Sequence, residues 1–185
     1  VAVFEQNTRP YGKIEDGLPR WHEGLRRKEY EKIRAKLAQP GVHFVPSTRI
    51  GRDIDFAELV EGWGFHAVVL ANGAWRDRPL ALEGAEAYVG RGLLYQNPFV
   101  IAFNHLQDPG YDGPRFAIRD DTLVVGGGLA SIDVAKIHTL HLTQQKLAER
   151  GIEVALGELE SALTSLRGRI GVNVKKDAFD KKPTP

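Results

Sequence analysis

The stretch Leu123–Ile137, LVVGGGLASIDVAKI, decides the fold. A short apolar run over 122–125 predicts a strand, Gly126–Gly128 follows at once, and a helix is predicted from Ser131 to about residue 150. In this context the first glycine permits a tight turn, the last lets a pyrophosphate approach the backbone, and Ser131 is small enough for close helix–strand packing. The free N–H groups of the helix start then bind phosphate. The stretch therefore predicts a dinucleotide-binding loop.

Strands and helices alternate along most of the remaining chain. Apolar runs predict strands, amphipathic spacing predicts a helix, and Asp55 with Glu58 resembles a capping box that opens a short helix. The predicted strands are 1–5, 42–50, 65–71 and 152–156, and the predicted amphipathic helix is 21–38. Residues 82–121 receive no assignment. This alternation indicates an α/β fold with parallel sheets.

Acidic residues at the ends of predicted strands are candidates for binding the ribose of a dinucleotide. Glu5 closes the opening strand VAVFE, where an acid of a dinucleotide-binding unit takes the adenosine ribose hydroxyls. Beyond the glycine loop, Glu153 lies within the next predicted strand and Glu158 lies past its end. Neither position decides between NAD and NADP, so both coenzymes stay open.

Composition excludes several classes of function. The net charge of +1 gives no electrostatic support for nucleic-acid binding. The absence of cysteine excludes disulfides and thiolate metal sites, and cytoplasmic localisation is the default expectation. No apolar run approaches the ~20 residues of a membrane span. His138 and His141 share a predicted helix without a third ligand, so they are interpreted as surface histidines and no metal is expected.

The order of motifs resembles a known family. Val3-Phe4-Glu5 is followed by a Gly-Pro-rich loop from Pro10-Tyr11-Gly12 to Gly17-Leu18-Pro19, then by Ala71-Asn72-Gly73, and then by the glycine loop with Asp133. Over roughly residues 1–156 this order is similar to the FAD- and NAD(P)-dependent oxidoreductases of the glutamate synthase small-subunit and adrenodoxin reductase type.

The resemblance implies a fold and a chemistry. It implies Rossmann-like parallel sheets, with a partial FAD-binding domain at 1–90, a connecting segment at 91–121 and the start of an NAD(P)-binding domain at 122–157. Residues 158–185 lie outside the resemblance and stay unassigned, and their weak periodicity and charged end predict a mobile tail. It also implies hydride transfer from NAD(P)H to FAD and electron transfer onward to an iron–sulfur partner or another acceptor. The flavin carries that chemistry, so no catalytic side chain is nominated. The implied cofactor-binding residues are Glu5, Gly12, Ala71, Asn72, Gly73, Gly126, Gly127, Gly128, Ala130, Ser131 and Asp133.

Departures from the family pattern predict an incomplete piece of such an enzyme. The flavin glycine loop that precedes the strand at 1–5 and the later Gly-Asp segment are missing from the pattern, so we expect this chain alone to hold FAD weakly or not at all. Two alternatives stay open. One is a non-catalytic dinucleotide-binding or assembly module, and the other is a methyltransferase-like domain with a similar glycine loop.

Overall fold

The structure is a computed structural model that describes residues 1–169. The chain forms two compact units. The first contains Val1–Ala117 and Val124–Val134, and the second contains Ile118–Leu123 and, within the described residues, 135–169. All the cofactor-binding residues that the sequence predicts therefore lie in the first unit.

A two-stranded parallel sheet opens the first unit. Strand β1, Ala2–Phe4, pairs in parallel with β2, His43–Val45, so both predicted strands are present. The second strand is shorter than predicted. Pro46 has no backbone N–H for a ladder, and Ser47 has a left-handed φ of 51°. These two residues turn the chain out of the extended conformation.

The Gly-Pro-rich loop forms a short helix, α1, Lys13–Asp16, that packs against the longer α2, Glu23–Leu37. The predicted helix over 21–38 is thereby confirmed. No residue of α2 is fully buried, so it is a surface helix. Two contacts with Tyr11 attach α2 to the preceding loop. The rings of Tyr11 and Tyr30 stack with centroids 4.0 Å apart, and Arg34 Nε donates to Tyr11 Oη at 2.7 Å.

Helix α3, Gln96–His105, supplies most of the core of the first unit, and it lies where the sequence received no assignment. Pro98 is tolerated because it sits in the first turn, where a backbone N–H has no intrahelical partner. The Phe103 ring meets Trp21 with centroids 5.2 Å apart. The buried residues of α3 are Asn97, Phe99, Val100, Ala102, Phe103 and Asn104.

Two helices follow the glycine loop. Helix α4 spans Leu129–Ala148 and confirms the helix predicted from Ser131. Helix α5 spans Leu156–Arg169. It begins at the last residue of the predicted strand 152–156 and continues into the segment that the sequence left unassigned. In the second unit Ile137, Leu140 and Leu156 are buried. The predicted charged tail beyond residue 169 lies outside the described residues.

Three predicted strands are wrong. Residues 65–71, 122–125 and 152–156 contain no strand, and Leu156 instead begins α5. Val69 and Leu123 are each 84% exposed. A strand persists only where a neighbour accepts its N–H and C=O groups. In the described residues the sheet consists of β1 and β2 alone. The expectation of parallel pairing is confirmed for that one pair.

No helix within residues 1–169 combines the length and apolar character that crossing a membrane requires. Over the same residues, no three His, Cys, Asp or Glu side chains lie close enough together to hold a metal ion. His138 is engaged in a structural contact, because its Nε2 lies 2.9 Å from the carbonyl oxygen of Arg119.

Candidate functional site

The predicted dinucleotide loop is exposed at the start of α4. Gly126 has φ +148°, and a Cβ added there would lie 3.1 Å from the Cβ of Ser131. This position requires glycine for conformational and steric reasons. At Gly127 and Gly128 an added Cβ would meet nothing within 4 Å. The protein itself therefore leaves open space at the two glycines that a pyrophosphate would approach.

Ser131 occupies the position of the last glycine of the dinucleotide-binding pattern, and it forms two hydrogen bonds within the first turn of α4. The Ser131 hydroxyl donates to the carbonyl oxygen of Gly128 at 2.6 Å, and the Ser131 N–H lies 3.1 Å from the same oxygen. Ala130 is exposed beside it. The first N–H groups of a helix have no intrahelical acceptor and form a partial positive charge. The 20-residue α4 thus offers phosphate-binding donors next to the open glycines.

Asp133 is partly buried and contacts a residue that is distant from it in the chain. Its carboxylate oxygens lie 3.1 and 3.3 Å from Nε2 of His22, the residue that immediately precedes α2. The two positions are 111 residues apart in the chain. Sequence patterns predicted Asp133 but not His22, since nothing local marks a histidine as the partner of a distant aspartate.

Two of the predicted flavin-site glycines converge on one tryptophan. A Cβ added at Gly12 would lie 4.0 Å from Trp75 Cζ2, and a Cβ added at Gly73 would lie 3.5 Å from Trp75 Nε1. Both glycines have left-handed φ angles, +47° and +72°. Larger residues would therefore be strained by the backbone conformation at these positions, while their Cβ atoms would make ordinary van der Waals contact with the indole ring. Trp75 is a residue that the sequence analysis missed.

Polar side chains surround Trp75. Lys13 Nζ lies 5.6 Å from the indole centroid and donates to Asn97 Oδ1 at 3.2 Å. The amide of Asn97 donates to the Trp75 carbonyl oxygen at 3.2 Å, and its backbone N–H donates to Asp77 at 3.1 Å. Asn97 is buried. This network fixes the segment after Gly73 against the start of α3.

Of the other residues predicted to bind the flavin, two are exposed to solvent and one forms a hydrogen bond within the turn that follows it. Ala71 and Asn72 are exposed beside Gly73. Glu5 lies at the end of β1, where its Oε1 accepts the backbone N–H of Asn7 at 2.9 Å. The structure therefore brings Gly12 and Gly73 together around Trp75, and it places Glu5 with the chain that follows β1.

A polar cavity of about 170 Å³ borders the Gly-Pro-rich loop. Burial lowers the pKa of His105, but hydrogen bonds to Asp108 at 2.6 Å and Asp16 at 2.9 Å outweigh that effect, so the pKa is raised. Burial raises the pKa of Glu15, which pairs with Arg9. The cavity is lined by Asn7, Thr8, Arg9, Gly12, Glu15, Asp16 and His105.

The described residues thus combine helices and one parallel strand pair with an exposed glycine loop at the start of a long helix. The glutamate synthase [NADPH] small chain of Bacillus subtilis is 33% identical over 136 residues, which cover 72% of this chain and 26% of the relative. The NADPH:adrenodoxin oxidoreductase of Rattus norvegicus is 28% identical over 163 residues, 88% of this chain and 31% of the relative. The NADPH-Fe(3+) oxidoreductase subunit beta of Geobacter sulfurreducens is 33% identical over 101 residues, 55% and 14% respectively.

These relatives confirm the resemblance that the motifs indicated. The chain is related to the glutamate synthase small subunit and to NADPH:adrenodoxin oxidoreductase. It spans between a quarter and a third of the length of those two proteins, at 26% and 31%. No family model and no solved structure matches the chain.

Proposed function

We propose that this chain forms part of an oxidoreductase that transfers hydride from NAD(P)H to FAD and passes electrons to an iron–sulfur partner or another acceptor. The names of all three relatives specify NADPH, and two of them specify oxidoreductases. In this proposal residues 1–90 belong to a flavin-binding domain, 122–157 begin a nicotinamide-binding domain, and the protein acts in the cytoplasm. The acceptor class rests on the resemblance and on relatives named for adrenodoxin and Fe(3+).

The observation that carries the proposal is the open glycine loop before α4. Gly127 and Gly128 are exposed, and no protein atom occupies the space that their missing side chains leave. A dinucleotide pyrophosphate needs such a close approach to the backbone together with the donors of a helix start. Because the relatives are named for NADPH, we assign NADPH as the preferred coenzyme.

The flavin contacts are assigned to the loop around Trp75 and to the end of β1. A Cβ added at Gly12 or at Gly73 would lie within 4.0 Å of the indole, and Ala71 and Asn72 are exposed next to Gly73. One oxygen of Glu5 is engaged by Asn7, and the proposal requires the other to accept a ribose hydroxyl. When bound, FAD accepts the hydride, while these residues bind and orient it.

Coenzyme titration tests the proposal directly. Calorimetry with NADPH and NADH on the purified chain should show binding, with NADPH preferred. Gly128→Val should weaken NADPH binding at least tenfold, or ~1.4 kcal/mol, because the valine fills the space that the pyrophosphate needs. The matched control is Gly24→Val, since an added Cβ at Gly24 also meets nothing within 4 Å.

The outcomes separate the candidate functions. Equal affinity in wild type and Gly128→Val would remove the glycine loop from the proposal. Binding of NADPH by a protein that never reduces added FAD would favour the non-catalytic dinucleotide-binding module. We expect the flavin spectrum after desalting to show weak retention of FAD by this chain.

A further inference from the structure

An exposed Asn–Gly pair lies in the turn that the sequence assigned to the flavin site. Asn72 and Gly73 are both exposed, and the segment that contains them forms neither helix nor strand. Within residues 1–169 no hydrogen bond to protein engages the side-chain amide of Asn72 or the backbone N–H of Gly73. The amide carbon of Asn72 and the Gly73 nitrogen are therefore not held apart by bonds to other groups of the described chain.

The surroundings of Gly73 leave its nitrogen accessible. Gly73 has a left-handed φ of +72° and no side chain that could shield the nitrogen. Apart from the chain neighbours of Gly73, the described residues place only two atoms within 4 Å of a Cβ built there, Nε1 and Cδ1 of Trp75 at 3.5 and 3.9 Å. The space beside the nitrogen is thus mostly open.

Two of the other asparagines within residues 1–169 are buried and cannot react in the same way. The side-chain nitrogen of Asn104 donates to three backbone carbonyl oxygens, so its amide is held in place. Asn97 precedes Pro98, which has no backbone N–H. Neither residue therefore offers both a loose amide and a neighbouring nucleophilic nitrogen.

Asn7 is exposed like Asn72 but differs from it in its backbone. The carbonyl oxygen of Asn7 accepts the Ser47 N–H at 3.0 Å, and the Asn7 N–H is bonded to Glu5. The residue that follows Asn7 is Thr8, whose branched side chain crowds the nitrogen that would have to attack. Asn7 is therefore an internal comparison for the effect of a held backbone.

We propose that Asn72 is a site of spontaneous deamidation through a cyclic imide. The Gly73 nitrogen attacks Cγ of Asn72, a bond forms between these two atoms, and the Cγ–Nδ2 bond breaks. The proton of the Gly73 nitrogen leaves with Nδ2 as ammonia. Water then opens the ring at either carbonyl and yields aspartate or isoaspartate, and nothing is oxidised or reduced. Asparagine is among the thermolabile residues of proteins.

The modification changes the charge of the turn. Both products carry a carboxylate where the protein begins with a neutral amide, and isoaspartate also lengthens the main chain by one carbon. Since Asn72 is assigned to the flavin contacts, the new charge would lie at the flavin site. That consequence rests on the proposed function, whereas the deamidation itself does not.

Peptide mapping by mass spectrometry tests the proposal on the folded chain. After incubation in mildly alkaline buffer, trypsin gives peptide 53–76 with Asn72, peptide 1–13 with Asn7, and peptide 92–115 with the two buried asparagines. Peptide 53–76 should convert into two isomeric products, each heavier by the difference between OH and NH2, while the other two peptides stay unchanged. A synthetic peptide of residues 66–76, incubated in parallel, gives the rate for an unrestrained Asn–Gly pair.

Two replacements identify the route. Asn72→Gln should abolish the conversion, because the longer side chain closes the ring far more slowly. Gly73→Ala keeps the asparagine but places a methyl group beside the attacking nitrogen, and should slow the conversion at least about tenfold, or ~1.4 kcal/mol of activation free energy. The matched control is Gly84→Ala, since Gly84 is also exposed with a left-handed φ, +76°. Circular dichroism establishes folding, and Asn72→Gln carries the test if Gly73→Ala does not fold.

Each outcome decides the matter. Conversion of the folded chain at close to the rate of the synthetic peptide, with both isomers formed and with loss of the reaction in Asn72→Gln, supports the proposal. An unchanged peptide 53–76 under conditions in which the synthetic peptide converts overturns it. A product that contains aspartate without isoaspartate also overturns it, because direct hydrolysis of the amide gives aspartate alone. Coenzyme titration tests the proposed function separately, so the two can fail independently.

Discussion

The side chain of Asn104 holds the Gly-Pro-rich loop in place and offers a sharp test of the structure. Asn104 is 8% exposed. Its Nδ2 donates to the carbonyl oxygens of Glu15, Asp16 and Leu18 at 3.1, 2.9 and 3.0 Å, and its Oδ1 accepts the backbone N–H of Arg20 at 3.1 Å. Replacing it with leucine preserves the approximate volume and removes every one of these bonds.

The expected loss of unfolding free energy follows from the number of hydrogen bonds that the Asn104 amide can make. An amide NH2 has two hydrogens, so the three carbonyl contacts amount to two donated bonds, and the bond accepted from Arg20 makes a third. At about 1 kcal/mol net for each bond, Asn104→Leu should lower the free energy of unfolding by about 3 kcal/mol. For a chain of this size, roughly 2–4 °C per kcal/mol converts this loss into a fall in Tm of about 6–12 °C.

Urea denaturation and thermal melting of wild type and variant measure the effect. Gln39→Leu is the control, because it makes the same amide-to-leucine exchange at an exposed position after α2. If the leucine variant does not fold, Asn104→Asp retains the acceptor for Arg20, loses both donated bonds and should still be destabilised by about 2 kcal/mol. An Asn104→Leu protein within about 0.5 kcal/mol of wild type would refute the reasoning, since buried bonds of this kind cannot be lost without cost.

Two further predictions concern stability. Because the folded pKa of His105 is raised above its ordinary value of 6.5, its contribution is complete below that value and is lost as pH rises through the folded pKa. The wild-type advantage in unfolding free energy over His105→Gln should thus shrink as the pH rises above 6.5, and an advantage independent of pH would contradict this. Gly126→Ala should destabilise the protein by about 1–3 kcal/mol through its left-handed φ of +148° and its approach to Ser131. Gly127→Ala should melt like wild type, and equal melting of the two variants would argue against the loop geometry.

Local patterns in the sequence determined several elements correctly. The helix over 21–38 and the helix after the glycine loop follow from apolar spacing and from stop signals such as Pro40-Gly41. One of the two bonds of the predicted capping box is present, because Asp55 Oδ1 accepts the Glu58 N–H at 3.0 Å. Helix bonds and caps connect residues a few positions apart, so their determinants lie within a short stretch of chain. The motif order likewise sufficed to indicate the family.

Only the tertiary structure decided which distant residues meet. The run at 65–71 has the composition of a strand, yet no strand forms there in the described residues, because pairing depends on a neighbour that composition does not specify. Helix α3 was missed since its apolar residues form a nearly continuous run without amphipathic spacing. The approach of Trp75 to Gly12, and the pairing of His22 with Asp133 across 111 positions, depend on packing of remote segments. Such contacts leave no periodicity in the sequence, because the energy that selects them comes from burial and geometry in the folded chain.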